Sequence, residues 1–308
     1  MTITARGRDG RLRLTDAGIE TVLIFDHGVD LPSFAAFPLL DDPVGSAALA
    51  AYARSFLELA GSRGAGFVLE TPTWRANPSW GPAVGYDGDA LRRIAFDAVS
   101  AARAAVAETG AEDVLVSGCV GPRGDGYRPG DTMTADEAAD FHGAQVADLA
   151  DAGADLVTSF TFSYAAEGVG FAAAAAEAGI PAVVGFTLET DGRLASGETL
   201  RSAVAAVDEA TGGYPVWFMV NCAHPDHLRP ALDWGEDWTA RIGALRANAS
   251  RRSHAELDEA EVLDSGDPVE LAADYEELQG LLPGLGVVGG CCGTDLRHIT
   301  QLADRLLA

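Results

Sequence analysis

The amino-acid sequence predicts an α/β protein whose fold is a single (β/α)8 TIM barrel. Apolar runs of strand length alternate along the chain with alanine-rich stretches of helical period, which is typical of βα units around a parallel sheet. Eight such units fit into the 308 residues, as a closed barrel requires. No linker or change in composition divides the chain, so residues 1–308 are predicted to form one domain.

An open, doubly wound sheet is the alternative architecture. It is weakened because no Gly-x-Gly-x-x-Gly sequence follows the first predicted strand, and because no Walker-type phosphate loop occurs.

The eight predicted strands are short apolar runs bounded by glycine or polar residues. In chain order they cover residues 11–14, 67–70, 113–117, 156–159, 182–187, 216–220, 241–245 and 285–288. The segment 233–267 is polar and predicts a solvated loop after the seventh strand.

The predicted helices lie between these strands and show apolar residues at helical spacing. They cover residues 45–62, 89–108, 135–150, 164–178, 199–211, 225–232, 268–281 and 295–307. Thr134 and Glu137 have the spacing of a capping box at the third helix, and Pro268 suits a first helical turn.

The charge of the chain excludes some classes of partner. Aspartate and glutamate number 46 against 21 basic residues, all of them arginine, and the formal net charge is −25. Such a surface repels nucleic acids and anionic membranes. Without lysine the protein cannot form a Schiff base through its own side chains. Because the start of the sequence lacks a secretory signal and no apolar run reaches membrane-spanning length, a cytoplasmic location is expected.

Three of the four cysteines are placed to meet at one end of the predicted barrel. Cys222 follows the sixth strand, and Cys291 and Cys292 follow the eighth. The carboxyl ends of the strands form the functional rim of such a barrel. Three thiolates suit Zn²⁺ and leave its fourth tetrahedral position open. Cys119 lies at the end of an apolar run and is predicted to be a core residue.

A zinc ion with three thiolate ligands suits one chemical task in particular. It lowers the pKa of a bound substrate thiol, which then attacks a methyl group on a sulfonium or quaternary nitrogen. Gly289 and Gly290 are expected to make the tight turn that directs both following cysteines at the ion. Two buried structural cysteines, or a disulfide between Cys291 and Cys292, are the alternatives that the pair alone leaves open.

The block 289–294, Gly-Gly-Cys-Cys-Gly-Thr, together with Asn221-Cys222, resembles the homocysteine S-methyltransferase family. Residues 14–18, 70–77 and 118–122 are similar to further segments of that family. The resemblance implies a zinc-dependent (β/α)8 barrel with Cys222, Cys291 and Cys292 as the metal ligands. It also implies a betaine or S-methylmethionine type of methyl donor and homocysteine as the acceptor, giving methionine. No protein side chain beyond the zinc-activated thiol is expected to act in the chemistry.

The same resemblance marks the expected substrate-binding residues, which are Asp16, Gly18, Glu70 and Asn221. Asp16 is the candidate for the substrate ammonium, Glu70 for substrate binding or loop ordering, and Asn221 for orienting the metal site. After the fourth strand, however, Phe160 stands where the family has a glutamate that binds the homocysteine amino group. A different thiol acceptor is therefore one alternative. A zinc-dependent lyase or hydrolase that uses a metal-bound water, and a thiol- or zinc-binding relative without activity, are two others.

Other conspicuous side chains have weaker assignments. Three histidines are expected to be surface or capping residues rather than metal ligands: His224, His227 and His298. Four aromatic residues are candidates for a cage around a methylated cation, with ordinary packing as the alternative: Phe34, Phe37, Trp74 and Trp80. The expected partners are a small-molecule thiol and a methyl donor, and the sequence leaves homo-oligomerisation open.

Overall fold

Eight parallel strands close into one barrel in the computed structural model, which describes residues 3–128, 130–232, 236–258 and 262–307. Each strand pairs with the next one along the chain, and the eighth pairs with the first. The strands are β1 Arg13–Thr15, β2 Gly66–Glu70, β3 Val114–Val120, β4 Leu156–Ser159, β5 Ala182–Phe186, β6 Trp217–Asn221, β7 Ile242–Ala247 and β8 Val287–Gly290. The predicted fold class is confirmed, and the open sheet is excluded.

Helices follow the strands and surround the barrel. They are α1 Ile19–Thr21, α2 Pro43–Arg63, α3 Gly88–Thr109, α4 Ala135–Asp151, α5 Ala165–Ala178, α6 Leu200–Thr211, α7 Pro225–Leu228, α8 His254–Asp258, α9 Pro268–Gln279 and α10 Leu296–Leu306. Side-chain caps set several of their starts, since Asp42, Asp87 and Thr199 each accept a backbone N–H of the first turn. The predicted capping box of Thr134 and Glu137 is present at α4.

Two apolar layers hold the barrel together. Alternate strand residues such as Phe67 and Leu69 point outward and pack beneath the helices in the main core. Their neighbours form a second cluster drawn from β2 to β8, which fills the barrel interior: Val68, Cys119, Leu156, Val183, Trp217, Met219, Ala244 and Val287. Because the interior is filled by side chains, a site that uses the strands is expected at the carboxyl-terminal rim.

The predicted solvated loop at 233–267 is wrong in most of its described part. It contains a 3-10 helix at Asp237–Arg241 and helix α8, and it also includes β7, which lies where the seventh strand was predicted. Ser250 and His254 in this segment are 3% and 4% exposed, because they form hydrogen bonds inside the protein. Residues 233–235 and 259–261 of the prediction lie outside the described residues.

The expected turn at Gly289 and Gly290 is also wrong. Both are the last residues of β8, and a Cβ at either position would overlap the side chain of Thr15 or Thr294. The turn is made by Gly293, whose φ is +78°. The glycine pair therefore allows close packing rather than a change of direction.

Within the described residues, no helix is both long enough and apolar enough to cross a lipid bilayer.

Candidate metal centre

The three predicted metal ligands meet at the rim of the barrel. The Sγ atoms of Cys222, Cys291 and Cys292 all lie within 4.8 Å of one another. Cys222 and Cys291 are joined by a disulfide with their Cα atoms 5.4 Å apart, and Cys292 is outside that bond. Tetrahedral zinc, with Zn–S bonds of about 2.3 Å, holds its sulfur ligands about 3.8 Å apart. The reduced trio therefore fits a zinc ion after a small movement of the sulfur atoms.

The backbone around Cys222 is held by an unusual set of contacts. Cys222 has φ of +52°, the left-handed conformation that non-glycine residues seldom adopt. Its carbonyl oxygen accepts hydrogen bonds from Thr187 Oγ1 at 3.2 Å, Asn248 Nδ2 at 3.0 Å and His254 Nε2 at 2.6 Å. Glu189 Oε1 lies 3.0 Å from the other ring nitrogen of His254. These contacts fix the direction in which the Cys222 side chain points.

Backbone hydrogen bonds to residues at the ends of β1 and β7 hold the chain at Cys291 in place. Cys291 N donates to the carbonyl of Ala247 at 2.8 Å, and Gly290 N donates to the carbonyl of Asp16 at 2.9 Å. Gly18 lies so close that a Cβ there would overlap the carbonyl oxygen of Cys291. The tips of β1, β7 and β8 are therefore packed backbone against backbone beside the sulfur atoms.

A cavity of about 400 Å³ opens at this rim and includes the sulfur trio. All four predicted substrate-binding residues line it: Asp16, Gly18, Glu70 and Asn221. The cavity has room for a small substrate directly above the three cysteines.

Arg246 occupies the wall between the two cysteine-bearing strands. Its guanidinium forms a buried ion pair with Asp16, and the two side chains are 5% and 4% exposed. It also donates to the carbonyl of Gly290 at 3.0 Å and to Thr15 Oγ1 at 3.0 Å. Burial raises the pKa of Asp16, and the guanidinium opposes that shift. Asp16, the residue expected to bind the substrate ammonium, is therefore already paired with an arginine of the protein.

Two further carboxyl groups of the cavity favour their protonated forms. Loss of hydration raises the pKa of Glu70 to about 8 and that of Glu20 to about 7. Glu70 is half-buried, and its Oε2 atom has no hydrogen-bond partner among the described residues. At neutral pH these groups add less negative charge than their number indicates.

Asn221 lies at the end of β6, beside Arg246 on the neighbouring strand β7. Its Oδ1 accepts the backbone N–H of Thr161 at 3.0 Å, which fixes the orientation of the amide because a backbone N–H can only donate. The Nδ2 group of Asn221 then remains without a partner among the described residues. The role of Asn221 in orienting the metal site stays a prediction, and a donor without a described partner lies beside the cavity.

The predicted aromatic cage is only partly assembled. Phe34 and Trp74 line the cavity, with ring centroids 6.4 Å apart. Trp80 and Phe37 are not among the lining residues. The guanidinium of Arg75 lies 4.0 Å from the ring centroid of Trp74 and 3.6 Å from that of Trp80. One face of Trp74 is therefore already covered by a cation of the protein itself.

The three histidines lie outside the sulfur trio, and all are buried rather than on the surface. His224 accepts from Asp226 N at 3.1 Å and caps α7, while His298 belongs to a capping box at α10. His227 contacts the carbonyl of Arg251 at 3.0 Å. Burial lowers the pKa of His224 to about 4. The expected capping roles of His224 and His298 are confirmed.

His224 also belongs to a second group of possible metal ligands, with Asp226 and Asp274. Both carboxylates form ion pairs with Arg229 and Arg251, however. A cation at this group would have to displace those arginines, so its donor set is poorly suited to a metal.

Three residues that line the cavity were not predicted from the sequence: Arg246, Asn248 and His254. Arg246 had a usable signal, because it is a charged residue directly after the apolar run of the seventh predicted strand. His254 had none, since its partners Glu189 and Cys222 are 65 and 32 residues away in the sequence.

The sequence matches a family model described as homocysteine S-methyltransferase over residues 13–306. Among solved structures, the oxidized form of the homocysteine methyltransferase MmuM from Escherichia coli is similar, with a TM-score of 0.74 and 25% identity over 96% of each chain. The metallated form of that enzyme gives a TM-score of 0.72 at the same identity and coverage. No individual curated protein matches the chain. The chain therefore belongs to the homocysteine S-methyltransferase family and is a thiol methyltransferase.

Proposed function

We propose that this protein catalyses the zinc-dependent transfer of a methyl group from a sulfonium or quaternary ammonium donor to a small-molecule thiol. The convergence of Cys222, Cys291 and Cys292 within 4.8 Å carries the proposal. The cavity of about 400 Å³ above them supports it, because it has room for a small acceptor at the open metal position.

The donor set of the site fits zinc. Cys222 would bind from β6, and Cys291 and Cys292 from β8, once the disulfide between Cys222 and Cys291 is reduced. When bound, zinc lowers the pKa of a coordinated thiol and so supplies a nucleophilic sulfur at neutral pH.

The residues of the chain hold the reactants and balance charge. Methyl transfer forms a bond from the acceptor sulfur to the methyl carbon as the bond from that carbon to the donor sulfur or nitrogen breaks. The electron pair of the broken bond stays on the donor, which becomes neutral, and the acceptor proton passes to solvent. Hydrogen bonds to the Cys222 carbonyl and packing at Gly18 hold the ligands in place, so the protein contributes mainly proximity and orientation.

The sequence leaves two candidates for the thiol that accepts the methyl group. Homocysteine, which would give methionine, follows from the family resemblance, and a different thiol is the alternative suggested by Phe160. The two acceptors make different demands on the site, because homocysteine brings an α-ammonium group that needs an acceptor.

Removing a ligand tests the proposal directly. In reduced, zinc-loaded protein, Cys222→Ser and Cys292→Ser should each lose most of the bound zinc and, together with it, methyl transfer. Cys119→Ala is the matched control, because Cys119 is buried in the same cavity wall but outside the trio. Its zinc content should equal that of the unchanged protein.

Zinc is measured by elemental mass spectrometry, and transfer by mass spectrometry over a panel of thiols and methyl donors. The proposal fails if either serine variant keeps both full zinc occupancy and transfer activity.

A further inference from the structure

We propose that the acceptor is a small thiol without an ammonium group, whose far end carries a carboxylate or another hydrogen-bond acceptor. The inference rests on the thiol methyltransferase function proposed above. It starts from the buried ion pair between Arg246 and Asp16, which lies beside the backbone of the metal ligands.

The Arg246 side chain is built into the metal centre. Its Nε donates to the carbonyl of Gly290, the residue before Cys291, and its own carbonyl accepts the N–H of Cys222 at 3.1 Å. A substrate sulfur that reaches the trio therefore comes close to this guanidinium. The ammonium of homocysteine, three carbons away from that sulfur, would meet a like charge in a partly dehydrated cavity, which is unfavourable.

The carboxyl groups that line the cavity do not offset this charge. Asp16 is already paired with Arg246. Glu70, whose pKa is raised to about 8, is largely protonated at neutral pH, and Glu20, whose pKa is raised to about 7, is about half protonated. Asp264 accepts the hydroxyl of Ser250 at 2.7 Å, and its charge is paired with Arg252, whose Nε lies 3.7 Å away.

Asp125, the other carboxylate in the cavity lining, lies in an exposed turn, where it accepts the N–H groups of Tyr127 and Arg128. Among the described lining residues that are buried or half-buried, an incoming ammonium thus finds no carboxylate that is both fully ionised and unpaired.

Phe160 closes the same side of the cavity with an apolar ring. The guanidinium of Arg246 lies 5.1 Å from its centroid, and the side chain is 7% exposed. The electron-rich ring face is already turned to this cation. A second cation from the substrate would have to share it.

The polar groups that remain include hydrogen-bond donors, beside one neutral amide acceptor without a described partner, Asn248 Oδ1. Asn221 Nδ2 has no partner among the described residues. A guanidinium has five N–H donors, and Arg246 uses four of them, one on Nε, one on Nη1 and two on Nη2. The fifth, on Nη1, has no acceptor in the described part of the chain. These donors suit a carboxylate, a carbonyl or a hydroxyl of the substrate.

One pair of thiols isolates the ammonium group. Homocysteine and 4-mercaptobutyrate have the same carbon chain, sulfur and carboxylate, and they differ only in the α-ammonium. Binding of each to reduced, zinc-loaded protein is measured by calorimetry, and the transfer rates of the two are compared with one common donor. We expect 4-mercaptobutyrate to bind at least about tenfold more tightly and to have the higher kcat/KM.

A charge variant gives a second readout on the same site. Phe160→Glu adds a carboxylate beside Arg246 and should shift the ratio of the two affinities at least about tenfold toward homocysteine. Phe160→Gln has nearly the same shape without the charge and should produce a much smaller shift. Zinc content is measured for both variants, so that damage to the metal site is separated from a change in specificity.

The outcomes distinguish this inference from the proposed function. If homocysteine binds as tightly as 4-mercaptobutyrate or more tightly, the inference is overturned, while the methyltransferase function stands. An equal shift in both Phe160 variants would also overturn it, because the charge would not be responsible. If neither thiol binds to the zinc-loaded protein, the inference fails, while the proposed function is decided separately by the cysteine variants and the panel of thiols.

Discussion

Single atoms decide the geometry next to the metal ligands. A Cβ on Gly18 would lie 2.5 Å from both the carbonyl oxygen of Cys291 and Thr21 Oγ1, distances that real Cβ atoms do not show. The backbone conformation of Gly18 is open to any residue, with φ of −76°. The need for glycine at this position is therefore steric.

The first prediction concerns Gly18→Ala. We expect it to lower the free energy of unfolding by about 1–3 kcal/mol and to weaken zinc binding, because Cys291 must move. Gly61→Ala is the matched control, since Gly61 lies on the exposed face of α2 with nothing within 4 Å. That change should be neutral or stabilising by less than about 1 kcal/mol. Urea unfolding of both variants checks this, and equal stabilities would contradict the steric argument.

A second prediction uses the raised pKa of Glu70. The folded protein holds this proton up to a pKa of about 8, well above the ordinary value of 4.5 for a glutamate. Between pH 5 and pH 8 the folded state therefore binds more protons than the unfolded state. The contribution of Glu70 to stability should fall as the pH rises, by at most about 1.4 kcal/mol per pH unit.

The check is the free energy of unfolding of Glu70→Gln relative to the unchanged protein at several pH values. The variant should gain relative stability from pH 5 to pH 8. If the difference in the free energy of unfolding does not change with pH across this range, the pKa of Glu70 is not raised in the folded protein.

At the residue scale the sequence predicted the sulfur trio but not its surroundings. The position of each cysteine just beyond a strand was enough, because strand ends in a closed barrel share one rim. The pairing of Asp16 with Arg246 was not predictable, since the two residues are 230 positions apart and neither carries a local signal for the other. Without such a signal, the sequence and the family resemblance favour a substrate ammonium as the partner of Asp16.

At the scale of secondary-structure elements, helix α8 connects the wall of the cavity to a metal ligand. His254 begins this helix and donates to the carbonyl of Cys222, which lies just after β6. The ring also stacks on Tyr127, with centroids 4.0 Å apart. A hydrogen bond thereby connects helix α8, which follows β7, to the expected metal ligand Cys222, which follows β6.

A third prediction follows for His254→Ala. Loss of this hydrogen bond should weaken zinc binding about 10- to 100-fold, as for other groups that orient metal ligands. His254→Gln keeps a side-chain N–H donor and should recover part of the affinity. Competition with a chelator measures the zinc affinity of both variants. If the alanine variant binds zinc as tightly as the unchanged protein, α8 has no part in positioning Cys222.

The strands and main helices were predictable from local patterns, whereas the segment 233–267 was not. Each strand is a continuous apolar run because a parallel barrel buries both of its faces. The segment 233–267 looks like solvent-exposed loop because its side chains are polar. The buried polar side chains of this segment form hydrogen bonds with residues that are distant in the sequence, such as Glu189 for His254. The local sequence pattern cannot indicate partners at that distance.

At the scale of the whole molecule, the proposed metal connects distant parts of the chain. Cys222 and Cys291 are separated by 69 residues, and the strands that carry them belong to one closed sheet. A ligand that binds only the folded state stabilises it by mass action. Zinc is therefore expected to stabilise the entire barrel and not only its rim.

The fourth prediction concerns thermal unfolding of the reduced protein. Free zinc at 100 times its dissociation constant should raise the free energy of unfolding by about 2.7 kcal/mol and increase Tm accordingly. Cys292→Ser should show little of this increase. An identical rise in the serine variant would mean that zinc stabilises the protein from another site.

The central claim, a three-thiolate zinc site that accepts a substrate thiol, is tested most directly by X-ray absorption at the zinc edge of the reduced, zinc-loaded protein. The resting spectrum should contain three sulfur ligands at about 2.3 Å and one lighter atom, and addition of an accepted thiol should replace the lighter atom by a fourth sulfur. A resting spectrum with mostly nitrogen and oxygen ligands, unchanged when thiols are added, would contradict the account and favour a zinc-dependent lyase or hydrolase.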